Sequence, residues 1–459
     1  MQQRRILDEP TINRELLRGP LDTPGWWLPA VLVMATLVLA GFGLMGYMFN
    51  RGLGVTGQNL PVFWGLFITT FVFWVGISHA GIMISAILRL TQAEWRRPVT
   101  RAAELLTVFS LLTALVFPII HTGRPWRAVY WVMPYDFSRG IFPNIRSPLI
   151  WDPFAIGTYL IGSTLFLYVA LLPDLGILRD RTSGWRHSFY TVSSLGWRGN
   201  PRQWRLQTVA GILLSALMLP IFVSVHSIVS WDFAITPAVE GWHSTIFAPY
   251  FVVGAVHSGV SAVVTMMAVM RWLWKWDNYI RPEHFDALGR LLIVVATAWL
   301  GFTFLELIFG VYSLEAPERA LREMQIMQWP WNLLFVIFLL CAFFIPVPLW
   351  FFKRVRNNIA LMFWTSILVN IGMWLERFLI IVPGLARKQP FVYVWDSYRP
   401  SPIEFALLFW SFCWVILLML LFSKLFPLIP LFESKESQVF TTDVRVGRVN
   451  MPAVLREQE

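Results

Sequence analysis

Long apolar runs separated by short polar ones set the rhythm of the chain. The runs at 26–49, 61–90, 102–121, 152–178, 206–232, 247–274, 287–312, 330–352, 357–382 and 402–426 each reach the ~20 residues that a helix needs to cross the hydrocarbon core. None alternates apolar and polar positions with the period of two that a membrane barrel requires. The helix is the other structure that satisfies its own backbone in lipid. The pattern predicts an all-α polytopic membrane protein with ten transmembrane helices. The stretch 1–25 is charged and has no apolar h-region of the kind a cleavable signal carries. It is expected to be a cytoplasmic arm, followed by a permanent first span within 26–60.

A short internal echo divides the helices. Gly76-Ile77-Ser78-His79-Ala80-Gly81 in the second run is matched 178 residues later by Gly254-Ala255-Val256-His257-Ser258-Gly259 in the sixth, and Trp151 is matched by Trp329 at the same offset. Four helices per repeat preserve direction, so the two halves would be related by an axis along the membrane normal. The expected organisation is a four-helix bundle of helices 2–5 (61–233) and a second of helices 6–9 (234–383). Helices 1 and 10 are peripheral, the latter within 384–432, and a polar cytoplasmic tail occupies 433–459. Small residues around His79 and His257 allow close helix approach.

Composition agrees with the pattern: 56% of residues are hydrophobic and only 14% charged, which excludes an ordinary water-soluble protein. The 25 Trp suit the membrane–water interface. Of the 37 Lys and Arg, 26 fall on the side of the chain termini and ten on the other, with Arg377 left out because it lies within a span. The positive-inside rule then puts both termini in the cytoplasm. This bias accounts for the net charge of +10 without nucleic-acid binding. Cys341 and Cys413 both lie in spans and imply neither a disulfide framework nor a cluster site.

The candidate chemistry centres on 117–152, which falls on the outer side. The third helix closes with His121-Thr122-Gly123-Arg124-Pro125-Trp126, and the fourth opens at Trp151-Asp152. Oxidising a quinol releases two protons and two electrons, so each hydroxyl needs an acceptor tunable toward neutrality. Histidine and a partly desolvated carboxylate both qualify. His121 and Asp152 are the candidates, and Asp232 stands at the outer end of the fifth helix, where an ordinary interfacial residue is the simpler reading. Arg124, Trp126, Tyr130, Trp131, Phe142 and Trp151 are expected to shape a slot for the ring. With no CxxCH, cysteine cluster or Gly-rich nucleotide loop, the chain is expected to hold no covalent or metal cofactor and to pass electrons to a partner.

Ionisable groups inside the spans cost roughly 2.5–3.5 kcal/mol each on insertion scales, so they call for a role. Glu104 and Asp174 lie toward the inner side, His79 and His257 near mid-depth, and His226, Glu306, Glu376 and Arg377 toward the outer side. In order of depth they form a candidate proton pathway. The structural alternatives are a self-neutralising Glu376–Arg377 pair, histidines that bond across tight helix contacts, and acids that snorkel to water.

The strings from His121 to Trp126, Tyr130-Trp131, Arg146 to Tyr159, Leu172-Pro173-Asp174-Leu175 and Gly372 to Arg377 together resemble the NrfD/polysulfide reductase C family. Within it they are most similar to the two ten-helix membrane subunits, C and F, of bacterial alternative complex III. The resemblance covers most of the chain. It implies a bacterial plasma-membrane subunit of a menaquinol:electron-acceptor oxidoreductase, with the quinol pocket at His121, Asp152 and Asp232. It further implies a periplasmic iron-sulfur subunit over the outer end, a multihaem cytochrome c subunit and a homologous ten-helix membrane subunit as partners. Intramembrane acids and histidines would transfer protons. The short arm and the ending Phe422-Ser423-Lys424-Leu425-Phe426-Pro427 are closer to the F type, a proton conduit and anchor without quinol turnover. A secondary transporter, a haem-bearing cytochrome b and a structural anchor are the alternatives from other classes.

Overall fold

Each apolar run is a helix in the computed structural model, which describes residues 9–59, 61–127, 140, 151–235, 239–242, 244, 246–387, 398–436, 440–446 and 449–455. The ten are α1 (Trp27–Arg51), α2 (Leu66–Leu90), α3 (Arg97–Thr122), α4 (Trp151–Asp180), α5 (Pro201–Ile235), α6 (Phe247–Trp274), α7 (Pro282–Tyr312), α8 (Trp331–Trp350), α9 (Ile359–Ala386) and α10 (Pro402–Leu425). All are long and apolar enough to cross a bilayer, and the chain is a multi-pass membrane protein.

Several helices start a turn or more before their apolar run. Hydropathy registers the part at hydrocarbon depth, whereas the helix itself begins in the polar zone. Pro98, Pro282 and Pro402 sit in first turns, where a fixed φ suits the helix and the missing N–H has no partner to lose. Further elements that hydropathy did not reveal are the helices Glu9–Leu16, Trp185–Ser193 and Ala316–Met327. The tail forms a helix, Leu431–Glu436, and then an antiparallel hairpin pairing Phe440–Val446 with Val449–Leu455.

The ends of the bundle are distinguished by their contacts. Tyr279 donates to Glu15, Arg186 to the Pro20 carbonyl and Tyr190 to the Leu425 carbonyl, while Lys435 pairs with Glu9. Both chain termini therefore gather at one end, called here the terminal end. α2, α3 and α6 are the most enclosed spans, with 88%, 78% and 72% of their apolar windows buried, against 17% for α1. α2 packs on α3, α5, α6 and α9; α6 also packs on α5, α7 and α9, and α1 lies along α10.

The two echoed motifs meet face to face. A Cβ on Gly76 would lie 3.4 Å from Ser258 Oγ and 3.7 Å from Ala255 Cα, so the glycine permits the close α2–α6 approach. On the other side of α2, a Cβ on Gly81 would overlap the Ala103 carbonyl and the Thr107 hydroxyl. Within α8 the helix widens to a π turn at Leu340–Phe344, just before Pro346. Pro346 has no N–H to offer the carbonyl four residues back, that of Ala342. His257 Nε2 of α6 reaches this oxygen at 3.0 Å and donates in its place.

At the opposite end, buried Glu404 organises the loops. One of its oxygens accepts the Tyr398 hydroxyl (2.6 Å) and the other the backbone N–H of Gly57 and of Ser401 (2.8 Å each). Tyr398 Oη in turn accepts the Leu66 N–H at 2.8 Å. Burial, and then the neighbouring carboxylate, push the Tyr398 hydroxyl well above the usual tyrosine range, so it stays a donor. Gly57 and the start of α2 are fixed in this way to the start of α10.

Replacing Gly81 by Val should lower the thermal midpoint of the purified protein markedly, since overpacking of this kind costs about 1–3 kcal/mol. Gly157→Ala, at a glycine with nothing within 4 Å of the added atom, should leave it unchanged. Equal midpoints for the two variants in a detergent melt would contradict the close α2–α3 packing.

Candidate functional site

Asp152, in the first turn of α4, and Asp232, in the last turn of α5, meet at the end opposite the termini. Their carboxyl groups come close enough to interact. Because an ionised carboxylate only accepts, two carboxyl groups so placed bond each other only when one of them carries a proton. Asp232 is buried, and Asp152 keeps a buried Oδ1 without a hydrogen-bond partner. One residue along, Phe233 lies edge-on to Trp64 (5.1 Å) and Trp242 (5.8 Å), which stack on each other at 5.8 Å and 6°.

His121 closes α3 one turn after Pro118. The helix ends because Gly123 takes a left-handed conformation, φ 63°, and returns its N–H to the Ile120 carbonyl. The half-buried His121 ring has Nδ1 3.4 Å from Gln58 Nε2, the residue after Gly57, which Glu404 holds. An amide nitrogen only donates, so Nδ1 accepts and the ring's proton sits on Nε2. Trp126 is 65% exposed and Trp151 37% exposed, and Arg124 is exposed as well. Tyr130, Trp131 and Phe142 lie outside the described residues. The structure thus joins Asp152 to Asp232 and His121 to Gln58, and its enclosed aromatic group beside Asp232 is Trp64, Phe233 and Trp242.

A second cluster occupies the centre. Glu376 Oε1 on α9 accepts from Tyr250 of α6 (2.5 Å) and from Trp299 Nε1 of α7 (2.7 Å), while Oε2 pairs with Arg377 at 3.0 Å. The Arg377 guanidinium lies over the Phe251 ring, 4.2 Å from its centroid. Gly254 makes room for it, since a Cβ there would sit 3.0 Å from Arg377 Nη2. The His226 ring stacks on the same Phe251 at 4.9 Å and approaches the His79 ring at 4.4 Å. His79 Nδ1 bonds the Val75 carbonyl, whereas His79 Nε2 and both His226 nitrogens are buried without hydrogen-bond partners. His257 stacks on Trp299 at 5.6 Å.

Toward the end opposite the termini, Glu306 of α7 accepts from Ser244 (2.7 Å) and pairs with Arg322 (2.9 Å), which also faces Glu318 at 3.8 Å. A cavity of about 40 Å³ touches Tyr250, Thr303, Glu306, Arg322, Gln325 and Glu376. That volume accommodates a water or two among polar partners. Toward the terminal end, Asp174 pairs with Arg101 at 3.0 Å and accepts the Leu431 N–H at 3.2 Å; Glu104 accepts from Ser85 at 2.5 Å.

The profile of the NrfD family, described as polysulphide reductase, matches residues 54–388. The chain belongs to this family. Curated relatives include the membrane C subunit of a putative dimethyl sulfoxide reductase of Halobacterium salinarum, 27% identical over 62% of this chain and 61% of that protein. The C subunit of the selenate reductase of Mesobacillus selenatarsenatis is 21% identical over 89% of this chain and 95% of its own. An Hdr-like menaquinol oxidoreductase integral membrane subunit of Archaeoglobus fulgidus is 20% identical over 87% and 93%. The matched stretch spans about three fifths of the halobacterial protein.

In this NrfD-family chain, sequence reasoning missed Gln58, Tyr250, Trp299, Arg101 and Arg322 as partners of the candidate residues. Arg322 had a signal, being one of the ten basic residues on the side that the positive-inside rule leaves poor. Its burial against Glu306 explains that departure.

Breaking a buried ion pair by removing one partner costs about 3–5 kcal/mol. Arg377→Met should therefore destabilise the protein strongly, and Glu376→Gln/Arg377→Met should recover part of the loss. Thermal unfolding of the three forms measures this. A double variant no more stable than the single would mean that Glu376 does not depend on Arg377 for its burial.

Proposed function

We propose that this chain is the quinol-binding membrane subunit of a respiratory or photosynthetic oxidoreductase complex, oxidising menaquinol at the end opposite the termini. The observation that carries this reading is the meeting of Asp152 with buried Asp232 at the same end as His121. A carboxyl pair holding one proton still has an acceptor site, and neutral His121 offers another. A quinol placed among them gives up two protons to these groups and two electrons to a redox centre of a partner, leaving the quinone. The Archaeoglobus relative, named for menaquinol oxidation, supports the substrate class. The other two relatives, named as the C subunits of reductases, support a membrane subunit working with catalytic partners. An iron-sulfur subunit, a multihaem cytochrome c subunit and a second ten-helix subunit, as in alternative complex III, are the proposed assembly. Both termini would then face the cytoplasm of a bacterial plasma membrane, and helices 2–5 and 6–9 would act as two repeats.

The central network favours a second activity in the same chain. Glu376, Tyr250 and Glu306 touch one small cavity, and His79 and His226 lie in contact. With Glu104 and Asp174 below, and with His257 and Arg377 beside, these groups are proposed to conduct protons. In an F-type subunit this would be the whole function.

Asp152→Asn and Asp232→Asn should each lower quinol oxidation by the assembled complex by about 10²-fold or more, the usual contribution of a positioned proton acceptor. The melting temperature should hold, because an amide can still hydrogen-bond the remaining carboxyl group. Full turnover by both variants would reject quinol oxidation at this pair and leave the proton-conducting reading standing.

A further inference from the structure

At the terminal end a cavity of about 360 Å³ opens between α2, α3, α4, α5 and the helix Leu431–Glu436. This is the size of an ordinary small-ligand site. Its charged lining consists of Arg89, Arg96, Arg97 and Arg101 against Glu104, Asp174 and Glu433. Even with all three acids ionised, the guanidiniums outnumber them.

The arginines converge on one residue. Arg96 Nη1 donates to both Glu433 oxygens, at 2.9 and 3.1 Å; Arg89 lies 3.7 Å from the same carboxylate, and Arg97 donates to the Glu433 carbonyl at 3.4 Å. Arg101 is engaged by Asp174, yet the Nε–H groups of Arg101 and Arg89 are buried with no hydrogen-bond partner. A fork of guanidiniums around a single carboxylate has the geometry that grips a phosphate oxyanion, which offers more acceptor oxygens than a carboxylate does.

The remaining wall tells what carries the phosphate. It is formed by Trp204, Thr208 and Ile212 of α5 and by Phe432, whose ring packs on Trp204 at 4.0 Å. Thr208 and Ile212 are exposed, and the same face of α5 continues to Val223, 43% exposed. A tryptophan at the level of a basic pocket, with an apolar helix face running from it along the bilayer, suits a lipid and not a free ion.

We propose that this cavity binds the headgroup of an anionic phospholipid, its phosphodiester among Arg89, Arg96 and Arg97 and its acyl chains along α5. Glu433 competes for the same arginines. The excess positive charge selects against a zwitterionic headgroup, whose ammonium would face the guanidiniums. The site is independent of the quinol reading.

The test is lipid retention by the full-length, detergent-purified protein after delipidation, read by native mass spectrometry and thermal shift. Phosphatidylglycerol should bind and raise the melting temperature, while phosphatidylcholine and inorganic phosphate should not. Arg96→Gln should weaken phosphatidylglycerol binding by about fivefold, the usual worth of one basic residue at an anionic surface. Glu433→Gln should strengthen it, an effect opposite to that of general damage to the fold. Equal binding of phosphatidylcholine would overturn the proposal. So would an equal effect of inorganic phosphate, or a Glu433→Gln variant that binds no better than the unaltered protein.

Discussion

The hydrocarbon core offers no hydrogen bonds, so every polar side chain placed there must find its partner within the protein. This constraint converges on Glu376. Its carboxylate takes a hydroxyl from α6, an indole N–H from α7 and a guanidinium from α9 itself. Three helices are thereby held in register by one residue, since sliding any of them would strand a buried donor. Gly254 is part of the same fit, because the Arg377 guanidinium occupies the space that a side chain there would fill. The pair is thus self-neutralising and also cross-helical. Its structural and proton-handling readings share one geometry.

The same constraint sorts the histidines. His257 donates to the one carbonyl that Pro346 leaves open, and holding the helix together at the π turn is reason enough for a buried imidazole. His79 is half satisfied through Val75, and His226 has neither nitrogen bonded although both are buried. Leaving such groups unpaired costs of order 1–3 kcal/mol each. The bland reading of a histidine bonded across a helix contact therefore accounts for one nitrogen of His257, while His226 has only the Phe251 backbone within reach. His79 and His257, at matching positions of the echoed motif, each bond through one nitrogen only, His79 through Nδ1 to its own helix and His257 through Nε2 to α8.

The spans were legible because hydropathy records the length of the hydrocarbon core directly, and the ten runs became ten helices. Their polar first turns were not, nor was the amphipathic helix Ala316–Met327, because polar residues at helical spacing leave no apolar run to detect. The candidate site shows the same division. His121, Asp152 and Asp232 stand out in sequence as ionisable groups at helix ends, and counting spans puts all three at one end. That Asp152 meets Asp232 across α4 and α5 is set by how these helices pack. Gln58 and Glu404 were invisible for a related reason. Their effect on His121 passes through a loop whose position depends on hydrogen bonds spanning more than three hundred residues.

For the proposed proton route, the buried acids and histidines also define which intervals a proton would have to cross. Near the terminal end, Glu104 bonds Ser85 of α2. At the centre, the Ser78 carbonyl of α2 accepts from Thr107 (2.7 Å) and Tyr159 (3.0 Å), and Tyr159 packs against the His79 ring at 4.8 Å. Ser85 and Ser78 are two turns apart, about 10 Å along the helix. Beyond His79 the proposed route meets His226, then Phe251 and Arg377, and then the small cavity between Glu376 and Glu306. The phenylalanine carries no proton, so transfer from His226 to Glu376 needs either a water beside Phe251 or a rotation of the His226 ring. Neither nitrogen of that ring makes a side-chain hydrogen bond that would oppose such a rotation, although the Phe251 backbone lies within its reach.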